Sequence, residues 1–399
     1  MRPIGATAEA VRGSIDGLAD LVRAVEQEPP GAVVDVVARS LLNLFGATHV
    51  TLLIADLSGE SLCPVSRAHV DGAAQADADQ PVPTVDSTAG IALRRQRTQV
   101  VARDGASRVH APITVRGDAL GVLEVRLPGT VEQRTVEEIG TYAHLLGYLI
   151  TVDRRYTDHF ETVRRTQERT LSGEIQRHLI DGPFVCEARP FTVAAWLEPA
   201  LDPAGDTFDY SFDESTLTCS LTDAMGHSVD AALLATLAVS ALRNERRAGG
   251  GIVAAAATAN RSLLAHARGG YVTGLLIDID LTSGGAAIVN AGHPLPFLVR
   301  GAAARRLDLS VDLPFGIFDD VEYHAQHVEL LPGDRLILVT DGLLEQAAEA
   351  FDLESFAVAN GALHAREFVR ALCRSAAREA GGRLTDDAAV LCLDWRGGS

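Results

Sequence analysis

Acidic turns in the second half of the chain, each set against a short β-prone run, constrain its fold more than any other feature. Asp206 follows the flexible Gly205, and the run Leu217 to Leu221 comes soon after and empties into Thr222-Asp223-Ala224-Met225-Gly226-His227. Arg335 to Val339 ends in Thr340-Asp341-Gly342, and Asp386-Asp387 opens the apolar run Ala388 to Leu393. In a sheet with antiparallel neighbours, the start of one strand and the end of the next share an edge, so all four turns can converge. Convergent carboxylates raise one another's pKa unless cations neutralise them. Hard divalent ions, Mg²⁺ or Mn²⁺, suit such an oxygen set better than zinc does. Two of them roughly 3.5–4 Å apart can bind a phosphate and orient a water for in-line attack. One Asp-Gly turn alone is more often ordinary turn chemistry. Four at strand termini shift the balance toward metal, although spacing alone does not identify the reaction.

A chain of 399 residues exceeds what one core usually serves, so two domains are expected. The breaker cluster Asp181-Gly182-Pro183 marks a boundary. The expected organisation is an N-terminal helical segment over 1–30, a sensor-like domain over 31–152, a helical linker over 153–182 and a second domain over 183–399. No apolar run approaches the roughly 20 residues that span a bilayer, and the N-terminus lacks the apolar core of a secretory signal. A soluble, cytoplasmic protein without membrane contact is expected. Cys63, Cys186, Cys219, Cys373 and Cys392 form no CxxC pair and read as small core residues. A net charge of −18 argues against nucleic acid as a partner.

In the first half, apolar residues at helical spacing from Ala32 to Phe45 precede a β-rich run, Val50 to Ala55. A polar stretch from Val70 to Gln80 reads as a loop, and Gly90 to Arg95 as a short helix. Arg108 to Val115 and Ala119 to Arg126 read as a hairpin with a Gly-Asp type turn, and Thr130 to Ile150 as an amphipathic helix. The charged segment from Thr151 to His178 reads as a solvated helix joining the domains. Its stripe of Tyr156, Phe160, Val163, Leu171 and Ile175 suggests a coiled-coil seam between two protomers, hence a homodimer through the linker, with packing on one of the domains as the alternative.

Two family resemblances follow from these residues. Val82-Pro83-Thr84-Val85-Asp86-Ser87, Ala111-Pro112-Ile113 and Gly117-Asp118-Ala119-Leu120-Gly121-Val122-Leu123 resemble a GAF domain over about residues 31–152, which implies an α/β sensory module with room for a ligand. An inert dimerisation module is the alternative. In the second half, the ordered series Gly205-Asp206-Thr207-Phe208-Asp209, Thr222-Asp223-Ala224-Met225-Gly226-His227, Tyr271-Val272-Thr273, Asn290-Ala291-Gly292-His293-Pro294, Leu313-Pro314-Phe315-Gly316, Pro332-Gly333-Asp334, Thr340-Asp341-Gly342-Leu343-Leu344-Glu345 and Asp386-Asp387 resembles the SpoIIE-type branch of the protein phosphatase 2C superfamily. Ile175 to Ile180 is similar to the helical segment that often precedes that domain.

The resemblance implies an α+β chain whose C-terminal domain is an α-β-β-α sandwich with two Mn²⁺ or Mg²⁺ ions at one end. By position, Asp206 and Asp223 would share the ions, with the Ala224 carbonyl as a further ligand and Asp341 and Asp386 completing the shell. Asp387 is an adjacent alternative to Asp386, and Asp209 is as plausibly a strand-capping group. His227 is a candidate proton donor to the leaving oxygen, with a packing or capping role as the alternative. For His293 the structural reading is favoured. Ala204 and Ser228 stand where relatives commonly have glycine, and Trp196 where many have arginine. The implied activity is metal-dependent dephosphorylation of phosphoserine or phosphothreonine on a regulatory protein, typically a STAS-type anti-sigma-factor antagonist, under control of the GAF-like domain. The rival readings are a catalytically inactive phosphatase-like binding regulator and a nucleotide phosphoesterase, and the sequence offers no nucleotide-gripping glycine loop or basic groove for the latter.

Overall fold

Antiparallel pairing organises both halves of the chain, as short β-prone runs joined by tight turns require. The computed structural model describes residues 19, 21–69, 80–168, 170–180, 182–198, 205–267, 269–347, 352–379 and 386–398, the side chains of 66, 67, 69 and 345–347 excepted. Most of the expected N-terminal helical segment, the 70–79 stretch, Asp181 and Ala204 lie outside the described residues. The chain divides into two units, Met1–Glu168 and Arg169–Ser399.

In the first unit, helix α1 (Val33–Phe45) buries its valine face and stops where Gly46 turns left-handed and its N–H reaches the Leu42 carbonyl. Strands β1 (His49–Ala55), β2 (Ser61–His69), β3 (Val82–Pro83), β4 (Gln99–Arg103), β5 (Ala106–Val115) and β6 (Asp118–Pro128) form one antiparallel sheet in the order β3-β2-β1-β6-β5-β4. Helices α2 (Thr88–Arg95) and α3 (Gln133–Asp153) complete it, α2 being capped by Ser87 Oγ. The β5–β6 turn is Arg116-Gly117, with both residues at positive φ as a type I′ turn demands. It falls one residue earlier than the expected Gly-Asp turn because Asp118 already pairs with Val115. Strand β2 has no counterpart among the strands expected from the sequence, and it carries Pro64 in its interior. Pro64 lies beside a register shift in the β1–β2 ladder, where its missing N–H is tolerated.

The segment expected to be one solvated helix is instead two short ones, α4 (His159–Arg164) and α5 (Leu171–Leu179), with non-helical residues between them. Phe160 is fully buried in the first unit's core and Val163 packs beside it. Arg164 Nε donates to the Ala55 carbonyl at 2.9 Å, and Thr166 Oγ1 donates to Asp56 Oδ2 at 3.0 Å. Tyr156 and Leu171 are exposed. The stripe read as a coiled-coil seam is therefore divided: its middle members have a core within their own unit, and the helix carrying them breaks before Leu171.

The second unit is built from two facing antiparallel sheets. One contains β9 (Thr207–Phe212), β10 (Thr216–Ala224), β11 (Val272–Asp280), β12 (Gly285–Ala291) and β15 (Gln326–Glu329), in the order β15-β12-β11-β10-β9. The other contains β7 (Val185–Glu187), β8 (Phe191–Glu198), β13 (Phe297–Arg300), β14 (Ala303–Arg306), β16 (Arg335–Val339) and β17 (Ala388–Trp395), in the order β14-β13-β16-β17-β8-β7. Phe191, Leu217, Leu221, Leu275, Ile277, Leu338 and Leu391 fill the space between the sheets. Helices α6 (Ser228–Arg247) and α7 (Ile252–His266) lay alanine-rich faces over Leu276 and Val289 on the outside of the first sheet. Helix α8 (Asp341–Ala347) leaves β16, and α9 (Leu353–Ala359) and α10 (Ala365–Glu379) cover Ile337, Val390 and Cys392 on the outside of the second. This is the layered α-β-β-α sandwich expected. All five cysteines are buried and unbridged. Among the described residues, no helix is long and apolar enough to cross a membrane.

Candidate metal centre

Topology brings the acidic turns together. Asp206 precedes β9 and Asp223 lies near the end of β10, its antiparallel neighbour, so both stand on one edge of the first sheet. Asp341 follows β16, and Asp386 and Asp387 precede β17, likewise neighbours in the second sheet. Asp206 and Asp387 are buried, Asp223 is partly buried, and Asp341 and Asp386 are exposed at the lip. Two glycines allow the close approach of the turns. A Cβ on Gly205 would stand 2.5 Å from the Ala224 carbonyl oxygen, and one on Gly342 would stand 1.9 Å from that of Asp387.

The carboxylates act on one another. Burial, then the charge of Asp223, pushes the Asp206 carboxyl well above the usual carboxylate range, and Asp387 and Asp341 add to the effect. Thr340 Oγ1 opposes it by donating to Asp206 Oδ2 at 2.6 Å, and the Ala389 N–H donates to the same oxygen at 3.1 Å. Asp223 is pushed up to about 7 by burial, then by Asp341 and Asp386, and it shares a hydrogen bond with Asp206. Among the described residues, no three His, Cys, Asp or Glu side chains are close enough to ligate a single ion as they stand. The donors are nonetheless hard oxygens crowded at the end of a sandwich, where only added positive charge relieves their repulsion. That chemistry fits Mg²⁺ or Mn²⁺.

The remaining candidates separate by what they touch. His227 is exposed at the N-cap of α6, with Nδ1 3.0 Å from Ser228 Oγ. Ser228 adopts a φ of 65°, a left-handed conformation that favours glycine. His293 is sealed: its main-chain N–H and carbonyl bond the Asn290 side chain, Nδ1 lies 2.9 Å from Thr273 Oγ1, and burial pushes its imidazole down to about 3. Asp209 is a clasp and stands apart from the acidic centre. Its carboxylate accepts from Arg243 Nη2 at 2.9 Å and from Arg246 Nη1 at 2.8 Å, both on α6. Trp196 donates from Nε1 to Glu198 at 2.9 Å, and the Arg370 guanidinium lies 4.5 Å from its ring centroid.

Two residues of the centre were not singled out from the sequence. Thr340 lies within the quoted Thr-Asp-Gly phrase, but its bond to Asp206 joins residues distant in sequence. Gln176, on α5, is 2% exposed and reaches both Asp206 and Asp387 from outside the strand-borne set. Its sequence signal was its place within Ile175 to Ile180, the segment similar to the helix that often precedes such a domain.

Comparison with known proteins bears on the same region. The family model described as Stage II sporulation protein E (SpoIIE) matches residues 213–396. Phosphoserine phosphatase RsbP of Bacillus subtilis (strain 168) is 24% identical over 192 residues, covering 46% of this chain and 47% of RsbP. The chain thus matches about half the length of this curated relative. Among solved structures, the RsbU and RsbW domains of a Mycobacterium tuberculosis protein align at 25% identity and a TM-score of 0.46, covering 53% of this chain and 62% of that one. The PP2C phosphatase domain of SpoIIE from Bacillus subtilis, with a fragment of its regulatory domain, aligns at 16% identity and a TM-score of 0.46, covering 77% and 86%. Residues 213–396, with Asp223, Asp341 and Asp386 among them, are thus similar to the SpoIIE family and to a phosphoserine phosphatase.

Proposed function

We propose that the second unit is a metal-dependent protein phosphatase that hydrolyses phosphoserine or phosphothreonine on a regulatory protein. The observation that carries this reading is the crowding of Asp206, Asp223, Asp341, Asp386 and Asp387 at one end of the sandwich, with Asp206 and Asp223 both raised in pKa by burial and by their neighbours. Asp206 and Asp223 would share two cations, with the Ala224 carbonyl, Asp341 and Asp386 completing the donor set. Asp386 is preferred to Asp387 because it lies at the exposed lip near Asp223, whereas Asp387 is buried and accepts from Gln176. When bound, two Mn²⁺ or Mg²⁺ ions supply charge neutralisation for the phosphoryl group and a water of lowered pKa. Thr340 and the Ala389 N–H hold the Asp206 carboxylate in place. His227, exposed a few residues beyond Asp223, would give a proton to the departing serine or threonine oxygen, with helix capping as its alternative role.

The phosphatase named RsbP supports a substrate of the partner-switching kind, a STAS-type anti-sigma-factor antagonist. The first unit acts as a GAF-like sensor. The retained carboxylates speak against an inactive binding regulator. The test is release of phosphate from an aryl phosphate with Mn²⁺ or with EDTA. Wild type turns over only with metal, and Asp341→Asn loses at least about 100-fold. Equal rates for the two proteins would refute the assignment.

A further inference from the structure

Gln176 bridges the two sheets at the acidic end. Its Nε2 donates at 2.8 Å to the main-chain carbonyl of Asp206, just before β9, and at 2.8 Å to Asp387 Oδ2, just before β17. One amide nitrogen carries two hydrogens, so both donors of the side chain are spent on the centre. The helix that presents it is fixed at both ends. Thr170 Oγ1 accepts from the Gly173 N–H at its start, and Arg243, itself clasped by Asp209, donates to the Leu179 carbonyl at its end. A neutral amide is informative at this place. An arginine or lysine would cancel the negative charge and compete with a cation, whereas an amide orients two acceptors and leaves the charge available.

We propose that Gln176 is a positioning residue of the metal centre: its amide sets the separation of the Asp206 and Asp387 turns. This rests on the phosphatase reading for its activity readout only. Without the amide, two acceptors in a crowded acidic site lose their donors together, and like charge drives the turns apart. Groups that orient metal-bearing side chains typically carry 10–100-fold in metal affinity, and that is the size of effect expected here.

The experiment compares wild type, Gln176→Met and Ser172→Ala. Gln176→Met keeps the length and removes the donors. Ser172→Ala perturbs a buried residue of the same helix that is bonded to Thr170 rather than to the centre. Mn²⁺ affinity is read by equilibrium dialysis, and the half-saturating Mn²⁺ concentration by aryl phosphate hydrolysis. Gln176→Met weakens both by roughly 10–100-fold while Ser172→Ala leaves both within about twofold of wild type. If Gln176→Met does not fold, Gln176→Asn, which keeps the amide but falls one methylene short, carries the same expectation. Unchanged Mn²⁺ affinity in the soluble variant overturns the proposal, as does an equal loss in Ser172→Ala. If wild type binds Mn²⁺ but hydrolyses nothing, the phosphatase reading falls, and the dialysis comparison still decides the role of Gln176.

Discussion

Replacing Asp223 by asparagine is expected to stabilise the metal-free protein at alkaline pH while removing its response to metal. Asp223 titrates near 7 in the folded chain, against 3.8 for an ordinary aspartate. Between those values the folded state holds a proton that the unfolded chain has released, so stability falls as pH rises through the window and the full penalty is present above about 7. A shift of that size corresponds to roughly 4 kcal/mol, an upper value because Asp223 and Asp206 share the effect. The asparagine side chain removes the charge and keeps the shape. The chain has only two tryptophans, Trp196 and Trp395, both in the second unit, so their fluorescence follows that unit in urea titrations. In EDTA the variant should exceed wild type by a few kcal/mol at pH 8 and match it near pH 4. With Mn²⁺ wild type should gain stability and the variant should not. A variant less stable than wild type in EDTA at pH 8, or a difference that does not change with pH, would refute the reasoning.

Gly342→Ala should destabilise the second unit by roughly 3 kcal/mol, because the added Cβ meets the Asp387 carbonyl; tryptophan fluorescence in urea checks it. Ser228→Gly should stabilise by about 1 kcal/mol through release of a left-handed φ, read as a raised thermal midpoint. Phe160→Ala should cost the first unit roughly 3–5 kcal/mol by circular dichroism, whereas a solvated linker residue would cost almost nothing. Asp209→Asn should cost roughly 3 kcal/mol by weakening the clasp on Arg243 and Arg246, and tryptophan fluorescence in urea reads the loss.

The acidic end of the sandwich was legible because its logic is local: an aspartate at the end of an apolar run, with a glycine within three residues, predicts a turn at a strand terminus, and antiparallel pairing places such turns on one edge. Thr222-Asp223-Ala224 and Thr340-Asp341-Gly342 carried that signal unaided. What stayed hidden depends on contacts distant in sequence. Gln176 meets Asp387 across 211 positions, and nothing in its own neighbourhood announces the partner. Phe160 looked like one member of a helical stripe, since a sequence does not say which core an apolar residue will join. Strand β2 was not among the expected strands, and the register shift that accommodates its Pro64 belongs to the pairing of two strands. The choice between Asp386 and Asp387 likewise depends on burial that adjacent identical residues cannot reveal.

The central claim is that these carboxylates form a site for divalent cations, and equilibrium dialysis of Mn²⁺ at pH 8 tests it most directly. Wild type should bind two ions per chain and Asp206→Asn one or none. Wild type that binds none, or Asp206→Asn that binds as many ions as wild type with equal affinity, would contradict the account.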